Sequence, residues 1–183
     1  MYAIDKDKLV QIFTIWAKQL VQKYWKKMFK KLNVYIIPIL KSWDDRAFMT
    51  ISPRIQRHGV KNTIFFNIYI NIEKFSKDFI NKLETGDIKP EEFMNFAAYQ
   101  FQRILLHELR HAAQDKYIFN RLHKNRRAFI RYKRWEHEKY APNLNNSLIE
   151  RDAYDYQDYG SYGQDIFRNL DFLNKEIAEF LNK

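Results

Sequence analysis

A chain of 183 residues with 46% hydrophobic content can bury one substantial core, and no Pro-, Gly- or Ser-rich linker divides it, so residues 1–183 are expected to form one domain. The formal charge of +10 and pI near 9.6 give a basic surface suited to acidic substrates, nucleic acid or an anionic membrane surface. The lack of cysteine excludes disulfides and thiolate metal ligands; with no signal-like apolar run at the N-terminus and no segment near the ~18 apolar residues of a membrane span, a cytoplasmic protein is expected.

From about residue 7 to 32, Leu9, Phe13, Trp16, Leu20, Tyr24 and Met28 recur at helical spacing among lysines, which predicts a packed, basic amphipathic helix. Three short β-branched runs follow at Asn33–Leu40, Ala47–Ser52 and Asn62–Asn71, the first two separated by the turn-like Ser42–Asp45. The third alternates Phe66, Ile68 and Ile70 with Asn67, Tyr69 and Asn71, as a half-buried strand does. Together they predict a small antiparallel sheet, with Pro53–Gly59 as a basic hairpin connection in which His58 is a solvated loop residue. Lys74–Lys82 reads as a short helix. Pro90-Glu91-Glu92 then opens a long helix reaching about Leu122, with proline and acids in the first turn where the helix dipole favours them.

That long helix carries His107-Glu108-Leu109-Arg110-His111. Four-residue spacing puts both imidazoles on one helix face, one turn apart, where they can reach a single metal ion. Without thiolates, zinc held by His and carboxylate is the expected ion, and a catalytic zinc uses three protein ligands and leaves a position for water. Glu108 would stand beside that water as general base. The surrounding Ile104, Leu105, Leu106, Leu109, Ala112 and Ala113 predict a largely buried helix, in which an imidazole pair needs partners.

Beyond it, Arg121–Lys139 interleaves cations with aromatics. A surface helix or loop is the plain reading. A lid or inhibitory segment is another, and Arg126, Arg127 and Arg131 are candidate contacts for nucleic acid or an acidic substrate. Ala141–Asn146 breaks the chain, and 147–159 and 166–183 read as two closing helices. The third ligand must come from outside the motif helix, from Glu150, Asp152, His123 or His137. Glu150 is preferred, because Ile149, Ala153 and Tyr156 give its helix an apolar stripe that docks on the core. Ser147-Leu148-Ile149-Glu150 also fits a capping box, in which Glu150 would turn back to the backbone. His137 would instead make a three-histidine site, although Trp135–Glu138 shows no apolar face to carry it inward. Asp152 is a candidate to accept an imidazole N–H and fix its tautomer.

The combination of His107–Gln114 with Ile149-Glu150-Arg151-Asp152-Ala153-Tyr154 resembles the gluzincin metallopeptidases, specifically small minigluzincin-like domains. The resemblance implies an α+β, zincin-like fold with a short sheet packed on the active-site helix. It also implies zinc on His107, His111 and Glu150, Glu108 as base, and a strand at Thr63–Asn71 that borders the cleft and pairs with a peptide. Tyr154 stands where thermolysin-type enzymes carry an acid, and neither the N-terminal helix nor the basic 121–139 segment has a counterpart. SprT-like proteases, which act on DNA-associated proteins, are a neighbouring resemblance that the charge favours, but their downstream histidine with flanking glycine has no match here. The expected function is therefore zinc-dependent hydrolysis of a peptide or protein substrate. The alternatives are a basic nucleic-acid-binding or interaction protein with a structural or vestigial metal site, and a SprT-like protease.

Overall fold

A computed structural model describes residues 3–19, 30–40, 47–143, 147–159 and 165–183. The elements are α1 (Lys6–Gln19), β1 (Val34–Ile39), β2 (Met49–His58), β3 (Lys61–Asn71), α2 (Ile72–Thr85), a 3-10 turn (Pro90–Glu92), α3 (Phe93–Arg121), α4 (Arg126–Tyr140), α5 (Leu148–Tyr159) and α6 (Leu173–Leu181). Helices and a three-stranded sheet make this an α+β fold. Among the described residues no helix is long and apolar enough to cross a membrane.

The sheet corrects the antiparallel expectation. Its order is β1-β3-β2, with β2 antiparallel to β3 but β1 parallel to it, Ile36 opposite Ile68. Alternating hydrophobicity fixes which face of a strand is buried and says nothing of the neighbour's direction, so a parallel edge strand left no mark. The supposed connection at 53–59 is mostly strand. β2 runs on through Pro53, opposite Phe66, to His58 opposite Lys61, leaving Gly59 and Val60 as the turn. Pro53 is tolerated because β2 is an edge strand and need not donate on both sides. Gly59, at φ 60°, supplies the positive φ that a two-residue hairpin turn between right-twisted strands requires.

The inner face of β3 presents Ile64, Phe66, Ile68 and Ile70, all buried, to a core shared with α1, α2 and α3. Phe13 of α1 lies 4.9 Å from Phe75 of α2 and 4.8 Å from Phe101 of α3, ring centre to ring centre. Asn71 ends β3 and starts α2, its side chain accepting from the Lys74 N–H at 3.2 Å, and Gly86 closes α2 at φ 76°. At ~1.5 Å per residue the 29 residues of α3 span about 43 Å, so this helix packs against β2 and β3 and also supports α5 beside it.

Three further expectations are adjusted. Of the expected N-terminal helix, residues 6–19 are helical, as are 30–32, while the rest of 7–32, like Ser42–Asp45, lies outside the described residues. The basic segment after α3 is a turn followed by α4, which is amphipathic. Phe129 and Tyr132 are buried, and Trp135 packs against Phe180 with ring centres 5.9 Å apart. Residues 166–172 are turns, and the closing helix begins only at Leu173.

Candidate metal centre and cleft

His107 and His111 project from the middle of α3, where the helix is buried against the sheet and α5. Their Nε2 atoms lie 3.0 Å apart. Glu150, in the first turn of α5, brings its carboxylate to 3.6 Å from His107 Nε2 and 3.5 Å from His111 Nε2. Among the described residues these three side chains form a donor group that could hold a metal ion, with all ligand atoms within 4.8 Å of one another. Ser147 caps α5 by accepting the Glu150 N–H at 3.3 Å. The capping pattern is thus half used: the serine turns to the backbone, while the glutamate turns to the imidazoles.

A relay of buried polar groups sets the orientation of His111. Gln114 Nε2 donates to the Ile149 carbonyl at 3.0 Å and to Asp152 at 2.7 Å, so both its protons are committed. Its oxygen must therefore face His111 Nδ1, 2.8 Å away, and that nitrogen must be the donor. In the neutral ring the Nε2 lone pair then points at His107 and Glu150, which is the tautomer a metal requires. Asp152 meets the histidine through Gln114 and not directly. It is held in turn by Arg110, which is 3% exposed and donates to it twice, at 2.7 and 2.9 Å. Arg110 also donates to the Ile166 carbonyl and, at 3.0 Å, to that of Arg168. His107 Nδ1 is buried without a hydrogen bond of regular geometry, and the Ala153 carbonyl is the backbone acceptor acting on this ring.

The electrostatics without an ion follow from burial and from Glu150. Burial dominates at His107 and lowers its pKa. Burial also opposes charge on His111, but Glu150, Glu108 and Gln114 outweigh it and lift the pKa to about 9. Burial opposes ionisation of Glu150, yet the two imidazoles more than compensate and depress its pKa far below the usual carboxylate range. Glu108, 9% exposed, is raised to about 7, chiefly by burial. The donor group therefore pairs a cationic His111 with an anionic Glu150 beside a neutral His107, and the neighbouring carboxyl titrates near neutral pH.

His107, Glu108, His111 and Glu150 lie along a cleft of about 610 Å³ whose other walls include Met49, Thr50 and Ile51 of β2, and Tyr154 and Gln157 of α5. This corrects the expectation that the strand at Thr63–Asn71 borders the cleft. β3 is the central strand, hydrogen-bonded on both sides, so among the described residues β2 is the strand with a free edge there. Tyr154, 52% exposed, lays its ring on His107 at 4.5 Å between centres. A smaller cavity of about 360 Å³ adjoins His111 and Glu150 from the other side, where Lys133 sits between Asp115, at 3.0 Å, and Glu136.

His137 lines that smaller cavity but is exposed and stands outside the donor group; the exposed His123 and His58, the latter the last residue of β2 and not a loop residue, also stand outside it. Arg126 and Arg127 line a separate basic cavity, and Arg131 is exposed farther along α4, so none of the three faces the cleft. Sequence reasoning missed Gln114, Arg110 and Tyr154. Two signals were present. Gln114 follows His111 by three residues on the same helix face. Arg110 is a charge inside an apolar, buried helix, where it must be paired. No family model, curated protein or solved structure matches this chain.

Proposed function

We propose that this chain is a zinc-dependent peptidase of zincin-like architecture, with His107, His111 and Glu150 as metal ligands and Glu108 as general base. The observation that carries the reading is the convergence of three donors, beside a buried carboxyl, at a cleft with a free strand edge. Nitrogen and oxygen donors arranged tetrahedrally at about 2.0–2.1 Å from one zinc ion are about 3.3 Å apart. The two imidazole nitrogens here are 3.0 Å apart, and the Glu150 carboxylate reaches them through its two oxygens at 3.6 and 3.5 Å, each separation close to that value.

Bound zinc supplies Lewis acidity toward a water and toward the scissile carbonyl. The chain supplies the rest. Glu108, with its pKa near 7, takes the proton of the attacking water and passes it to the departing amide nitrogen. The open edge of β2 pairs with an extended substrate backbone and aligns the bond to be cut. Tyr154, the tyrosine that the cleft exposes, is the hydroxyl donor available to the developing oxyanion.

The rival reading of a structural metal in a nucleic-acid-binding protein fits the site less well. Structural zinc is closed by four protein ligands, whereas the donor group among the described residues has three and opens on a cleft. The deciding experiment pairs metal analysis with hydrolysis of a peptide library. Glu108→Gln should keep one zinc per chain and lose turnover by at least ~100-fold. A Glu108→Gln variant as active as the parent removes the base assignment, and a zinc-loaded parent that cleaves nothing removes the peptidase reading.

A further inference from the structure

The β2–β3 hairpin tip and the α3–α4 turn enclose a second cavity, of about 590 Å³, with no residue in common with the metal cleft. From His111 it lies ~15–20 Å farther along α3, counting ~1.5 Å per residue. Arg57, Lys61, Lys124, Arg126 and Arg127 line it, all exposed, and no carboxylate does. The cavity is a built one: Asn62 donates to the Lys124 carbonyl at 2.9 Å, Arg57 Nε to the Gly59 carbonyl at 3.0 Å, and Asn125 caps α4 through the Ala128 N–H at 3.1 Å. Among the described residues no ion pair neutralises these five cations. Like charges held together this way cost free energy unless an anion shares the site.

A second, independent feature says which anion. The outer face of the sheet has no buried residue between Tyr35 and Tyr69, and it carries an aromatic row that ends at the same hairpin. Tyr35, 57% exposed, stacks near-parallel on Phe65 at 6.5 Å, and His58 meets the other side of Phe65 at 6.3 Å. Arg54 is cross-strand from Phe65, and His58 from Lys61. An acidic peptide would use the cations and ignore the rings. A duplex would use the phosphate contacts and keep its bases out of reach.

We propose that the hairpin binds single-stranded nucleic acid passing around its tip, with phosphates in the basic cavity on the helix-facing side and unstacked bases of neighbouring nucleotides laid on Phe65 and on Tyr35 of β1 on the outer face. The site is independent of the proposed hydrolysis. It would hold a strand, or a substrate attached to one, on the same β2 that runs to the metal cleft.

The test is fluorescence anisotropy of the full chain with a labelled oligo-dT of about 20 nucleotides over a series of salt concentrations. Arg126→Gln/Arg127→Gln replaces two exposed cations on a helix, and Tyr35→Ala trims an exposed ring, so circular dichroism should show both variants folded. The double arginine variant should bind at least tenfold more weakly and flatten the log K against log salt slope by about 1.4, at ~0.7 per lost phosphate contact. Tyr35→Ala should weaken binding ~5- to 100-fold and leave that slope unchanged. An unaltered slope in the double variant, equal affinity for a duplex of the same length, or equal displacement by polyglutamate would each overturn the proposal.

Discussion

Asp152→Asn tests the relay behind the metal centre. The substitution keeps shape and one oxygen but removes the charge that faces Arg110, and it turns one of two acceptor positions into a donor. Removing one partner of a buried ion pair costs about 3–5 kcal/mol. Two features reduce that here: Arg110 keeps the Ile166 and Arg168 carbonyls, and the Asp152 side chain is 22% exposed. We expect a loss of about 2–3 kcal/mol, which for a chain of this length is a fall in Tm of roughly 4–12 °C. Thermal unfolding of chelator-treated protein measures it. The same change takes an acceptor from Gln114 and so loosens His111, for which zinc affinity should drop ~10- to 100-fold in a competition titration. Gln114→Met separates the two effects, because it should weaken zinc by a similar factor while leaving Arg110 paired. An Asp152→Asn protein that melts with the parent and binds zinc equally would refute the relay.

Zinc itself should stabilise the parent. At a hundredfold excess of free ion over Kd the gain is about 2.7 kcal/mol, read as a rise in Tm, and Glu150→Ala should abolish it. The pH dependence follows from three groups of the site. The folded pKa values of His111, about 9 against 6.5, and of Glu108, about 7 against 4.5, are both raised, so each contributes stability that is present below its ordinary value and lost as pH rises through the folded one, whereas the lowered pKa of His107 costs stability only below about 6.5. Chelator-treated protein should therefore lose stability between about pH 6.5 and 9, while zinc, which displaces the His111 proton, should bind more tightly as pH rises; pH-independent zinc affinity over that range would contradict it. In the core, Phe101→Ala should cost about 3–5 kcal/mol in denaturant unfolding, since this ring is fully buried against Phe13 and Trp16.

The features legible in the sequence are those written in a single element. The length and periodicity of α3 and the alternation of β3 each appear within one run of residues, and their observed limits lie close to the expected ones. What was illegible depends on distant neighbours. Nothing in Val34–Ile39 records that its partner runs parallel, and Pro53 reads as a strand breaker until β2 is known to be an edge. Placing Glu150 took an argument about a docking stripe. Singling out one of twelve tyrosines took the fold, because among the described ones Tyr154 is the one that lines the cleft and touches a motif histidine. Asp152 fell one step from its expected place because the path from carboxylate to imidazole runs through an amide on another helix.

Two of the three donors sit one turn apart on α3, while the third comes 39 positions after His111 (150 − 111 = 39), on a helix that docks by its own contacts at Arg103–Asp158, Arg110–Asp152 and Gln114–Ile149. A chain with α3 formed and α5 still detached thus offers an ion only half a grip. An ion held by all three would latch α5 onto α3 in addition to those side-chain contacts, and stripping it should lower the melting temperature without undocking the helix.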